Sequence, residues 1–251
     1  MTLRPDIEPA QVYNAYGLYQ REFVEELNLC PWAKGARERG QVDIQLIFTR
    51  EENAVTSVVA QLQQWSLKEQ VVVGLLLCPD FLGDRRSFER FVNRVVDADS
   101  ARNAFESPTF ALAAFHPAAT PPSNPSANAE VWIPYLRRSP VPTIQAIRMS
   151  SLEQVRGAEP AGTEFVNLSE VDLASVLKQF QERRREKKPL RQRIAEANLA
   201  TVERLGLSQC EVILQRARAE LTATDRTCGT AKDCSASQRL TPTTHEVRKR
   251  S

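Results

Sequence analysis

Histidine is almost missing from this chain of 251 residues: two occur, His116 and His245. Imidazole chemistry therefore has two places to be, and His245 stands in a polar stretch near the C-terminus. An excess of charge of one sign is missing too. Against 33 Lys and Arg stand 31 Asp and Glu, a formal net charge of +2, which sets up no global field to recruit nucleic acid or an anionic membrane; any anion binding has to be local. No apolar run approaches the ~20 residues that span a bilayer, and the opening Met-Thr-Leu-Arg-Pro-Asp lacks the apolar core of a signal peptide. Five cysteines, an odd number with no C-x-x-C pair among them, fit a reducing compartment better than a disulfide framework. The expected location is the cytoplasm, with no membrane and no nucleic acid as partner. A phosphate loop, a G-x-G-x-x-G fingerprint and a G-x-S-x-G elbow are all absent, which argues against the commonest nucleotide-binding and hydrolase classes.

What the chain does have is alternation of helical and strand patterns. Val12, Tyr16, Tyr19, Phe23 and Leu27 fall at steps of four, three, four and four, which predicts an amphipathic helix over about residues 9–29, limited by Pro31 because Cys30 precedes a proline. Val42 to Thr49 alternates as a strand. Val55, Val58, Val59, Leu62 and Trp65 predict a second helix, and Val71-Val-Val-Gly-Leu-Leu-Leu77 a strand buried on both faces. Phe88, Phe91, Val92 and Val95 predict a third helix capped by Asp84. Pro108-Thr-Phe-Ala-Leu-Ala-Ala-Phe-His-Pro117 then reads as another strand buried on both faces, with His116 at its end.

This order implies an α/β fold: a small, mostly parallel sheet of three or four strands covered by helices, with a split arrangement containing an antiparallel strand as the main alternative. In the parallel case Thr49, Cys78 and His116 emerge at one edge of the sheet, and strand ends are where ligands bind in such folds. Residues 118–134, rich in Pro, Ser, Asn and Ala, read as a long loop, either a lid or an insertion. Ser139, Pro140 and Pro142 suggest the start of a helix running to Met149, whose free N–H groups would suit an anion. Glu164-Phe-Val-Asn167 suggests a short extra strand, and Leu173, Val176, Leu177 and Phe180 a helix. The charge run Glu182 to Lys188 reads as a solvated helix end, since no aromatics interrupt it. Ile194, Ala197, Thr201 and Leu205 predict a helix ended by Gly206, and Val212, Ile213 and Ala217 a last one. The expected organisation is one α/β domain over residues 1–221, with a site-bearing core at 9–157 and a helical extension at 168–221, followed by a disordered polar tail at 222–251.

Side chains capable of chemistry are few. Cys30 is followed by Lys34, Arg37 and Arg39, and nearby cations favour the thiolate, although the helix end before it works the other way; the alternative is a small hydrophobe packed under Trp32. His116 suits acid–base work near neutral pH. Arg138 and Arg148 offer planar forks for a carboxylate or phosphate, or else salt bridges to nearby acids. Asp80 and Asp84 are of the type to serve as metal ligands or a base, and capping of the third helix is the simpler account. Cys30, Cys78 and His116 are zinc-ligand types, but paired spacing is lacking, and Cys228 and Cys234 do not supply it.

Three stretches, Leu27-Asn-Leu-Cys-Pro-Trp-Ala-Lys34, Phe115-His-Pro117 and Arg138-Ser-Pro-Val-Pro-Thr-Ile-Gln-Ala-Ile-Arg148, resemble the bacterial family called domain of unknown function 1415. Ile194 to Gly206 adds a weaker likeness. Two departures stand out: Gln145 occupies a place where the family pattern has a histidine, and Val141 one where it has an aromatic. The resemblance implies no activity or cofactor, and the cofactor stays unknown. It does gather Cys30, His116, Arg138 and Arg148 into one set. The leading expectation is a small enzyme with Cys30 and His116 catalytic and Arg138, Arg148 and Lys34 holding an anionic small molecule. The alternatives are a non-catalytic module that binds a ligand or a protein, and a metal-binding protein.

Overall fold

A computed structural model describes residues 7–50, 53–102, 108–122, 129–157 and 190–222. The chain opens with helix α1 (Pro9–Tyr19), which passes without a break into a π-helical segment, Gln20–Glu25. Helix α2 (Ala33–Glu38) precedes strand β1 (Val42–Leu46), helix α3 (Ala54–Ser66) and strand β2 (Val73–Leu77). Helix α4 (Arg85–Arg102) and strand β3 (Phe110–Phe115) follow, then a 3-10 turn (Ala129–Trp132), helix α5 (Ile133–Leu136), strand β4 (Thr143–Arg148) and helix α6 (Met149–Gly157). Helices α7 (Leu190–Leu205) and α8 (Leu207–Ala219) close the described part.

The four strands form one sheet in the order β1-β2-β4-β3. β1 and β2 pair in parallel, and β4 pairs antiparallel with both β2 and β3. Three strands therefore point one way, and β4 is inserted against them. This is the mostly parallel α/β sheet, with its parallel run split by one antiparallel strand. The segment 139–149 is not the expected helix. Thr143, Gln145 and Ile147 alternate with Ile144, Ala146 and Arg148, and hydrogen-bonded neighbours on both sides hold the β-branched residues extended. The helix N-terminus proposed for an anion does not exist there.

Each face of the sheet carries its own core. On one face α3 and α4 pack Val58, Trp65, Phe88 and Phe91 against Leu76, Ile144 and Ala146. Gly74 is required here, because a Cβ would come within 2.1 Å of the Trp65 ring. On the other face α1, the π segment, α5 and α8 gather Tyr16, Tyr19, Phe23, Tyr135 and Leu214 against Val73, Leu75 and Leu77. β2 is buried at every position, as its unbroken apolar run predicts. β3 is not: only Phe110 is buried, since this strand forms the sheet edge with a single neighbour.

Other expectations shift by a residue or a turn. The first helix ends at Glu25, and the wider π turn, with Leu29 N–H donating to the Val24 carbonyl at 2.9 Å, buries Leu29 where regular spacing selects Leu27. α7 buries Ala195, Asn198 and Val202, while Ala197 is exposed. α8 buries Cys210, Leu214 and Ala217, and Val212 is half exposed. The end of the loop expected over 118–134 is ordered, with Trp132 buried beside Tyr135. The strand at 164–167, the helix from Leu173, the charge run 182–188 and the tail from 223 lie outside the described residues. Among the described residues, no helix is long and apolar enough to cross a membrane.

Candidate functional site

Between the sheet and the helices of the α1 face lies a cavity of about 400 Å³. Local sequence explains the space. On β3 the residues that face this side are Ala111, Ala113 and Phe115, whereas Phe110 and Leu112 turn to the α3–α4 core. Two alanines at the sheet edge leave a hollow that larger side chains would close. Ile147 and Gln145 of β4 and Val73 and Leu75 of β2 continue the floor. The π segment contributes Gln20 and Val24 to the wall, and π turns recur at functional positions because they re-aim side chains within a helix. Ile194, Ala195 and Asn198 of α7 form another part of the wall.

The wall is cross-linked by polar contacts. Asn198 Nδ2 donates to the Leu29 carbonyl at 3.0 Å, tying α7 to the loop before α2. Arg37 Nε donates to both carboxylate oxygens of Glu25 at 2.8 and 2.9 Å, and Gln20 Nε2 donates to Glu25 Oε1 at 3.1 Å. These bonds hold the π segment to α2. Two of the lining residues each carry a polar atom that is closed off from the cavity and from solvent and has no hydrogen-bond partner: the Tyr19 hydroxyl and Trp32 Nε1.

Cys30 lines this cavity. Burial pushes its thiol up, against the opposing pull of the Trp32 and Ala33 N–H groups and the Gln145 side chain, and the Glu25 charge adds to the rise. Lys34 is exposed on α2. His116 goes elsewhere: it follows Phe115 and faces the opposite side of the sheet, 5.9 Å from the Phe88 ring. Its Nδ1 accepts from the Ala118 N–H at 3.2 Å and its Nε2 lies 3.2 Å from the Gly83 carbonyl, which makes Nε2 the protonated nitrogen of the neutral ring. Burial lowers its pKa, offset in part by the Gly83 bond and the Asp84 charge.

The arginines occupy two further places. Arg138 pairs with Glu211 of α8, lies 5.3 Å over the Tyr135 ring, and shares Glu211 with the Tyr135 hydroxyl, which donates at 3.1 Å. Arg148 leaves the far edge of the sheet from His116. Its guanidinium donates to the carbonyls of Val71, Trp65 and Lys68, each at 2.8 Å, over the Phe110 ring at 4.9 Å. The structure thus brings Cys30 and Gln145 together and sets His116, Arg138, Arg148 and Lys34 apart from them. Asp80 accepts from the Thr49 and Arg50 backbone, tying the end of β1 to the loop after β2, and Asp84 caps α4 through the Ser87 N–H at 2.7 Å. Among the described residues no group of three or more His, Cys, Asp or Glu could hold a metal ion.

The family described as "Protein of unknown function (DUF1415)" matches residues 13–181, more than half of the chain. The chain belongs to this family. Comparison with curated proteins and with solved structures gave no match. In this DUF1415 protein the matched stretch contains Tyr19, Cys30, Trp32, Ala113 and Gln145, while α7, which walls the cavity through Ile194, Ala195 and Asn198, lies beyond it. Sequence reading missed Tyr19 and Trp32, because an aromatic at helical spacing or beside a proline signals packing. The signal that could have found the hollow was the small-residue alternation of Phe110-Ala-Leu-Ala-Ala-Phe115, in which Ala111 and Ala113 share a face.

Proposed function

We propose that this DUF1415 protein is a binding protein for a small, mostly apolar molecule, seated in the cavity between β3, β4 and α7 and in contact with Cys30 and Gln145. The observation that carries this reading is the size of the hollow set against its lining. Aliphatic and aromatic side chains make most of the wall, with Gln20, Gln145, Asn198 and Arg137 as its polar members, and the volume falls in the usual range for small-molecule sites, which are mostly apolar with a few polar groups that fix orientation.

The enzymatic reading, with Cys30 as nucleophile and His116 as acid/base, is favoured by the Trp32 and Ala33 N–H groups beside Cys30, which lower its pKa. Burial acts against it by holding the thiol protonated, and His116, on the other face of the sheet, is not within reach to take the proton. Binding without turnover is therefore preferred. The described cysteines, Cys30, Cys78 and Cys210, are all free thiols, in keeping with a cytoplasmic protein.

The test is a titration with the naphthalene dye 1-anilinonaphthalene-8-sulfonate on the wild type and on Ala113→Phe, whose ring would occupy the hollow. The expected result is saturable binding at one site in the wild type and its loss in a variant that melts at an equal or higher temperature. Equal dye binding by the two proteins, or none by the wild type, would overturn the proposal.

A further inference from the structure

Resting on that reading of the cavity, we infer that its guest is a neutral molecule carrying an N–H or O–H group, received by the side-chain oxygens of Gln20, Gln145 and Asn198. These three amides stand in a largely apolar wall and come from three elements: the π segment, β4 and α7. All three turn to one short stretch of chain. Gln20 Nε2 donates to Glu25 Oε1 at 3.1 Å, Asn198 Nδ2 donates to the Leu29 carbonyl at 3.0 Å, and the Gln145 side chain hydrogen-bonds Cys30. The polar part of the wall is thereby gathered around residues 25–30, of which Leu29 and Cys30 line the hollow. Each bond also fixes which end of the amide is left over. A carboxylate and a backbone carbonyl only accept, so Gln20 and Asn198 must turn their NH2 groups to them, and Oε1 and Oδ1 remain. The Gln145 bond lowers the Cys30 pKa, as an N–H donated to sulfur does by favouring the thiolate, so its oxygen remains as well. Unlike Tyr19 Oη and Trp32 Nε1, none of these three oxygens is closed off, and among the described residues none has a partner.

The other polar members of the wall do not reverse this choice. The Tyr16 hydroxyl and the Cys30 thiol each donate or accept, and adapt to either kind of guest. Arg137 only donates, but it is exposed and has an interaction of its own within the protein. Glu25 is the nearby carboxylate, and Arg37 already neutralises it through bonds at 2.8 and 2.9 Å. No charge is left there to hold an ammonium group, and the apolar wall disfavours one. A guest entering from water takes the place of water at the three oxygens. One that cannot donate gives those bonds up, whereas an alcohol, a phenol or an N–H heterocycle restores them. Beyond that point the wall is apolar, so the remainder of the guest is hydrocarbon, aromatic or aliphatic.

Two compounds of one skeleton separate donation from acceptance: 1-(2-naphthyl)ethanol has a hydroxyl where 2-acetylnaphthalene has a carbonyl, and both are neutral. A third, 2-ethylnaphthalene, has neither group and reports whether the hollow itself is intact. Binding is measured by calorimetry or dye displacement at neutral pH on the wild type, Gln20→Leu, Gln145→Leu and Asn198→Leu. The expected result is that the wild type binds the alcohol about tenfold more tightly than the ketone, as one hydrogen bond made instead of lost would give. At least one of the three variants should bring that ratio to about one while binding 2-ethylnaphthalene as tightly as the wild type or more so, and the variant that does so identifies the receiving oxygen. A wild type that binds the ketone as tightly as the alcohol, or more tightly, would overturn the inference while leaving the cavity reading in place. So would a tenfold ratio that survives in all three variants. Binding of none of the three compounds would overturn both.

Discussion

Replacing Arg148 by alanine should destabilise the protein by about 3 kcal/mol. The guanidinium reaches three carbonyls, those of Val71, Trp65 and Lys68, at 2.8 Å each. Bonds from a charged donor contribute ~1.5–3 kcal/mol apiece. The Lys68 carbonyl lies in exposed surroundings, where water replaces the lost partner, so two bonds count fully and give roughly 3–6 kcal/mol. Stacking over Phe110 at 4.9 Å adds about 0.5–1 kcal/mol, and the freedom regained by the chain end takes back about 2 kcal/mol. A cation at this place also faces the carbonyl end of α3, which the helix dipole favours. Urea unfolding followed by circular dichroism, with the slope checked for constancy, reads the difference. Arg148→Lys, which keeps the charge but not the planar fork, should recover about half. A loss under about 1 kcal/mol for Arg148→Ala would refute the assignment of this side chain to the brace between β4 and the end of α3, and would return it to the pool of residues free to hold an anion.

Two further predictions concern His116 and Cys30. The folded state holds His116 neutral, its pKa lowered chiefly by burial. Below the ordinary value near 6.5 the unfolded chain takes up the proton more readily than the folded one, so stability falls as pH drops from about 6.5, levelling off once pH passes below the lowered value. Melting curves between pH 8 and pH 5 should show this fall, smaller in His116→Gln, and identical slopes in the two proteins would contradict the account. Iodoacetamide should label Cys30 in the native protein more slowly than an unhindered thiol at pH 7 and accelerate only as pH approaches the raised value, because thiolate is the reacting species. Fast labelling at neutral pH would instead restore the nucleophile reading.

Much of the fold is legible from periodicity. The apolar stripe of α4, Phe88, Phe91, Val92 and Val95, is buried as read, and β2 is the central strand its run of aliphatics describes. The errors have physical causes. Two prolines near residue 140 mimic a helix start, yet the ladders on both sides of β4 decide its conformation. Such pairing is invisible in a local window. β3 has the composition of a central strand and the position of an edge, because topology and not composition inserts β4 beside it. The candidate site was legible only through Cys30. Strand order sets His116 at the correct edge of the sheet, but one step of strand parity turns its ring toward Phe88 and away from Cys30. Tyr19 and Trp32 stay hidden in the sequence because an unsatisfied hydroxyl or indole is a property of packing.

The most direct measurement is a crystal structure of the wild-type protein grown with 2-acetylnaphthalene. The account predicts density for the naphthalene ring in the hollow over Ala111 and Ala113, beside Cys30 and Gln145. A ring bound on the outer surface, or a hollow filled by the protein's own side chains, would contradict it.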